Sequence, residues 1–304
     1  MEYLKEFNTH SEYQTFINTI KYGSTVSLCG KGKEREIHFN PEPVITCKYN
    51  VTEVGDGVTT KICHNTSSFS KMLVDDVEKP LATTYAFDTV GEHTVCFLCK
   101  NRNSFGQNYA FSGTSAMTSI VFSNSFTNID GFQMLCDCSS LSSITFPSNV
   151  KTILANQMCV RTNVQYIYLP ETLTQLGGVS LQSLKRIYIP DSVTGITGEA
   201  FRGCRPTDFL YVGKNVSFIT RYALRGQTAN ITAPIIFAPT VPPTSQSDSV
   251  CISMFSNYIY VPPKSLNAYK TSPYFTAPEF NNKIKPMTEL PQEVREMLKN
   301  KGMP

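Results

Sequence analysis

A short phrase recurs along the second half of this chain, and its spacing constrains the fold more than any local propensity does. Strand-like cores SIVFS (119–123), SITFP (143–147), IYLP (167–170), IYIP (187–190), LYVG (210–213), IIFAP (235–239) and IYVP (259–262) follow one another. Counted from the first apolar residue they start at Ile120, Ile144, Ile167, Ile187, Leu210, Ile235 and Ile259, at intervals of 24, 23, 20, 23, 25 and 24 residues. A turn (PSN, PET, PDS, GKN) follows each core from the second to the fifth. Then comes an apolar pair three residues apart: Val150/Ile153, Leu173/Leu176, Val193/Ile196 and Val216/Ile219. A unit this short cannot bury a core alone, so the period predicts a solenoid in which each coil covers its neighbours.

Other positions of the unit recur as well. ITGEAFRGC (196–204) and CSSLSSITFP (138–147) resemble the BspA-like leucine-rich repeats of bacterial surface proteins, whose unit reads I-x-x-x-A-F-x-x-C-x-x-L-x-x-I-x-I-P. Ile196, Ala200, Phe201 and Cys204, with Cys138, Leu141, Ile144 and Pro147, carry the match. The resemblance covers about residues 105–285 and departs at an insertion after Cys159, at the shortened next unit, and at GQTANITAP (226–234). IYVPPKSLNAYKTSPYF (259–275) looks like the closing segment of such arrays, a final strand running into a short helix. The expected fold is mainly β, with a leucine-rich-repeat solenoid over 101–285 and a C-terminal capping helix or tail over 286–304.

Alternation within a strand sends successive side chains to opposite faces. With Ile167 and Leu169 inward, Tyr168 faces out, and the outward row reads Thr145, Tyr168, Tyr188, Tyr211, Ile236 and Tyr260. Tyr168, Tyr188, Tyr211 and Tyr260 form a candidate partner-binding ladder. Stacked tyrosines also stabilise a sheet by themselves, about 0.2–1 kcal/mol per cross-strand pair, so a structural and a binding role both stand. Residues 151–226 hold nine basic and four acidic side chains, and Lys185, Arg186, Arg202 and Arg205 are a candidate basic rim for an anionic glycan or acidic protein. Solvated surface charge explains the same residues.

The segment before the repeats reads differently. Thr9 with Glu12 fits a capping box, and Tyr13, Phe16, Ile17 and Ile20 fall on one stripe of a short helix, a candidate docking stripe. TVSLCG (25–30) and REIHFNP (35–41) read as strands. Residues 1–42 are expected to dock or oligomerise, a trimer being one form of the homo-oligomer. YLKEFNTHSEYQTFIN with VSLCGKGKEREIHFNP resembles N-terminal segments of structural proteins from phages of gut Bacteroides-type bacteria, which implies docking to other virion proteins. Residues 43–100 read as a small immunoglobulin-like β-sandwich. ITCKYN, KICHN, TTYAF and HTVCFLC are its strands, with a hairpin signal at Asp56-Gly57; TVGEHTVCF (89–97) is similar to the last strands of immunoglobulin-like modules, with Val95 and Phe97 inward. In the tail, Val294, Met297 and Leu298 share a helical face, Pro291 suits a first turn and Gly302 a stop.

Motifs for chemistry are missing. Cys96 and Cys99 have CxxC spacing, but three residues apart in a strand means opposite faces. Cys138, Cys159 and Cys204 sit at the repeat's cysteine position, where a small apolar side chain is wanted. The four histidines, His10, His38, His64 and His93, form no HExxH pair, and GKGKE lacks phosphate-loop spacing. No catalytic residue, cofactor or metal is expected. The net charge of +3 gives no reason to expect nucleic acid. The first twenty residues lack the basic start and apolar core of a secretory leader, and no run is long enough to insert in a membrane.

The expectation is a non-enzymatic binding protein on a virion exterior, attached through residues 1–42 and displaying the solenoid to a host-surface or mucosal glycan or protein. The alternative is a bacterial or protist BspA-like surface adhesin or intracellular scaffold, at the cell surface or in the cytoplasm of a bacterium.

Overall fold

The computed structural model describes residues 43–301 except 202, 205, 221–222, 225–232, 246–257 and 276–281, together with the backbone of 25–30 and 33–38. The stripe Tyr13, Phe16, Ile17 and Ile20 lies outside the described residues. β1 (Thr25–Gly30) and β2 (Lys33–His38) pair antiparallel.

Five further strands and a long central one follow: β3 (Val44–Val51), β4 (Thr60–Lys61), β5 (Phe69–Val74), β6 (Val77–Lys79), β7 (Thr84–Tyr85) and β8 (Gly91–Cys99). β8 pairs antiparallel with both β3 and β5, and β6 closes that edge. The Asp56-Gly57 turn does not join paired strands, which corrects the expected hairpin: β3 pairs with β8, and β4 pairs with β7. The tight hairpin instead lies at Asp75-Asp76, between β5 and β6. Both residues have positive φ, 46° and 66°, as a two-residue turn matching strand twist requires. Along β8 the side chains alternate: Val95, Phe97 and Cys99 enter the main core, while Cys96 joins Val44 and Leu73 in a separate cluster. The two thiols of the CxxC therefore lie on opposite faces.

The repeats begin with β9 (Ser104–Gly106) and β10 (Met117–Phe122), then β11 (Asn128–Asp130), β12 (Ser143–Thr145), β13 (Thr152–Ile153), β14 (Gln175–Gly177), β15 (Arg186–Ile189), β16 (Gly195–Thr197), β17 (Phe209–Val212) and β18 (Phe218–Ile219). β19 (Ile235–Phe237), β20 (Ile259–Val261) and β21 (Ile284–Pro286) complete the order. Each coil contributes to two parallel rows. The back row runs β9-β11-β13-β14-β16-β18, and its register aligns Phe105, Ile129, Ile153, Leu176, Ile196 and Ile219. These are the second members of the apolar pairs, with two further coils ahead of them.

The front row holds the recurring phrase. β10 pairs parallel with β12, aligning Ile120 with Ile144, and β15, β17, β19 and β20 align Ile187, Leu210, Ile235 and Ile259. Between them IYLP (167–170) forms no assigned strand, so the row is two sheets rather than one. Its coil is nevertheless held on both sides, by Asn163 N–H to Leu141 O (2.9 Å) and Lys185 N–H to Gln165 O (3.0 Å). β20 is not the last strand as expected, because β21 pairs beyond it. The helix Leu266–Thr271 follows β20; Tyr269 from it packs on Phe237 and Phe275 and donates its hydroxyl proton to Pro239 O at 2.9 Å, closing that end of the core.

Residues 43–100, expected as an immunoglobulin-like sandwich of their own, share a sheet with the repeats. β3 pairs antiparallel with β10, giving the order β12-β10-β3-β8-β5-β6. One contiguous apolar cluster runs from Ile45 to Ile284. Every buried Ile, Leu or Phe in it contributes about 1.5–3 kcal/mol over exposure. An open solenoid end would leave such residues in water, and the segment 43–100 covers it.

Candidate interaction face

Alternation in the front strands sends Tyr188, Tyr211, Ile236 and Tyr260 to the outer face in one register row, followed by Lys285. Tyr188 and Tyr211 stack with centroids 4.7 Å apart and planes 7° apart, the spacing of adjacent strands. The Tyr211 hydroxyl donates to Asp191 Oδ1 at 3.0 Å. Burial, then the Asp191 carboxylate, pushes the Tyr211 hydroxyl well above its ordinary pKa. Burial acts to raise the Asp191 carboxyl as well, but the Lys214 N–H, the Tyr211 hydroxyl and the Lys214 ammonium outweigh it and hold the group below the usual range. Tyr188 is raised by burial and by Glu171 and Asp191.

The ladder is not uniformly open. Tyr168 is 44% exposed, whereas Tyr260 is 5% exposed. The cover is the C-terminal helix, Gln292–Lys299. With Leu290, its Val294, Met297 and Leu298 pack on Phe209, Ile236 and Tyr260, and on the half-buried Tyr188 and Tyr211. Beyond the helix, Lys301 Nζ reaches Glu171 Oε1 at 2.8 Å. The shared face of Val294, Met297 and Leu298 was legible in the sequence; its place was not. The tail lies across the outer strand face instead of capping the last coil. One physical signal bears on this: a helix advances about 5.4 Å per turn and strands stack about 4.8 Å apart, so an i, i+4, i+8 stripe meets one coil per turn.

The basic rim divides similarly. Arg186 Nε donates to Asp208 Oδ2 at 2.8 Å, with the guanidinium 5.3 Å above the Tyr166 ring, and Lys185 Nζ lies 5.9 Å from the same ring. Arg186 is thus held in an ion pair on the face. Arg202 and Arg205 lie outside the described residues. What remains open in the front row is the stretch Ser143, Thr145 and Tyr168, beside the half-buried Tyr166.

Other reactive groups are placed for structure. Cys138, Cys159 and Cys204 are buried within the core, and burial pushes Cys138 up to about 11. The thiols of Cys159 and Cys204 are likewise raised by burial. Thr114 occupies the equivalent place one coil earlier, its Oγ1 3.2 Å from Cys138 Sγ. His93 borders a cavity of about 200 Å³ lined by Val74, Asp75, Tyr85, Phe87 and Asp88 among others. Its Nδ1 lies 2.6 Å from Asp75 Oδ2 and its Nε2 2.8 Å from Thr89 O. Two acceptors are satisfied together when both ring nitrogens carry protons, so the imidazolium form clips the β5–β6 turn to the 87–91 loop. Among the described residues no three His, Cys, Asp or Glu side chains are grouped as a metal site, and no helix is long and apolar enough to cross a membrane.

None of the curated proteins compared with this chain matches it. Residues 100–231 match the BspA type leucine rich repeat region family in 6 copies, ending within GQTANITAP, where the motif is lost. The chain carries a BspA-type leucine-rich repeat region, folded as a two-rowed solenoid.

Proposed function

We propose that this chain is a non-enzymatic interaction or adhesion protein that contacts its partner through the open part of the front strand row. The observation that carries this reading is the exposed side chain of Tyr168, flanked by Ser143 and Thr145, on a repeat stack of the BspA type. A flat row with an aromatic ring at its centre suits a sugar ring or a protein surface. In this reading residues 43–100 act as the N-terminal cap of the solenoid rather than as a spacer. Among the described residues, burial raises the pKa of the repeat thiols Cys138, Cys159 and Cys204, and both nitrogens of His93 are engaged, which supports a binding reading over a catalytic one.

The setting we propose is the exterior of a phage virion, with residues 1–42 docking to other virion proteins and a host-surface or mucosal glycan or protein as ligand. Its support is the resemblance of the N-terminal segment. The repeat match favours a second setting, a bacterial surface adhesin. A glycan and host-surface-protein array probed with the full chain and with Tyr168→Ala tests the contact. Loss of the captured signal in the variant, at unchanged melting temperature, is the expected result; equal binding sinks it. Detection of the chain in purified particles separates the two settings.

A further inference from the structure

The covered half of the front row has a shape and chemistry of its own. Phe209, Ile236 and Tyr260, bordered by Tyr188 and Tyr211, form an apolar face running across successive strands. Its present occupant is a stripe of Leu290, Val294, Met297 and Leu298, one residue or pair per helical turn. The helix starts over β20, through the turn Met287–Glu289, and its end reaches Glu171 through Lys301.

The occupant is weakly tied to the rest of the chain. The main core cluster includes Ile284 and nothing after it, so residues 287–301 can leave without opening that core. The helix has eight residues and no side-chain cap at its N-terminus, and a helix of that length is marginal alone. Its polar bonds are largely its own: Gln292 to Glu296, Lys299 to Glu296, and Arg295 to Thr288 O. Apolar contact therefore supplies most of what holds it, and that kind of contact transfers to any helix with the same stripe.

We propose that the Tyr188–Tyr260 face is a helix-docking groove, and that the chain's C-terminal helix is its resident ligand, exchangeable for an amphipathic helix of a partner protein. The resident helix defines the partner's chemistry: apolar residues at i, i+4 and i+7/i+8, and a basic residue about three turns on to meet Glu171. A partner must compete with a tethered helix whose effective concentration is on the order of millimolar, so docking in the closed chain is suppressed and opening of the arm gates it. The groove adjoins the open stretch around Tyr168 at Glu171, but its test does not depend on what that stretch binds.

The probe is a fluorescently labelled peptide of residues 286–304, titrated by anisotropy against the full chain and against full-length Val294→Asp. The variant, with its own helix disengaged, is expected to bind at least about tenfold tighter than the parent chain. A Val294→Asp peptide is expected to bind neither. A folded variant that fails to bind, or a parent chain that binds equally well, overturns the proposal. Dimerisation of the variant without added peptide also overturns it, because a second copy would then be the groove's occupant. Should Val294→Asp fail to fold, Met297→Ser with Leu298→Ser opens the half-buried end instead; failure of both to fold shows the arm to be an inseparable part of the core and overturns exchange.

Discussion

At the residue scale, the tightest positions are glycines where one coil's backbone passes another. A Cβ on Gly178, whose φ is +38°, would lie 1.6 Å from Ala155 O, and one on Gly213 would lie 2.2 Å from Pro190 O. Gly198, at φ +57°, has open space around it. Gly178→Ala and Gly213→Ala should each cost about 3 kcal/mol or more, against about 1 kcal/mol for Gly198→Ala, seen as a graded fall in thermal midpoint. His93 gives a pH signature. Burial lowers its pKa, but the bonds to Asp75 and Thr89 O and the nearby Asp75 and Asp88 charges outweigh this and raise it above 6.5. A raised histidine stabilises fully below its unfolded pKa, and that stability disappears as pH climbs through the folded value. The melting temperature should therefore decline as pH rises above about 6.5, and His93→Gln should remove that decline. Equal pH profiles would show that the clip is neutral.

At the scale of elements, what could be read in advance followed from periodicity. Alternation in IYIP and LYVG put Tyr188 and Tyr211 on one face, and the spacing of the apolar pairs aligned Ile153, Leu176, Ile196 and Ile219 in the back row. Pairing between elements far apart in the chain was not legible. The alternating residues of β3 name a buried face but no neighbour, so its pairing with β10 had no sequence signal. The stripe on the C-terminal helix likewise named no partner, and the surface it covers is drawn from strands between residues 188 and 260. IYLP reads like its neighbours yet forms no ladder, in the coil trimmed to GGVSLQS, where Gly178 lets the chain pass close to Ala155. Within the stacked pair, Tyr211→Phe keeps the ring and loses the bond to Asp191. It should cost about 1 kcal/mol in chemical denaturation, with Tyr211→Ala costing about 3.

At the scale of the whole molecule, the segment 43–100, the coils and the closing helix Leu266–Thr271 share one apolar cluster. The β3–β10 pairing transmits loss of order between the segment and the first coils. A charge at Ile120, buried at that junction, should expose both. In hydrogen exchange, Ile120→Asp is expected to release the amides of β3 and β8 together with those of β12. Release confined to the repeats would mean that residues 43–100 stand alone. The cysteines report on the same unity: with Cys138, Cys159 and Cys204 buried, a thiol reagent should modify them only as fast as the chain opens.

The division of the front row into an open stretch and a covered groove is the centre of this account, and tyrosine footprinting tests it most directly. Oxidative labelling of the native chain, read by mass spectrometry, should modify Tyr168 readily and Tyr211 and Tyr260 poorly, with Tyr211 and Tyr260 gaining reactivity in Val294→Asp. Uniform labelling of Tyr168, Tyr188, Tyr211 and Tyr260 in the native chain would contradict it.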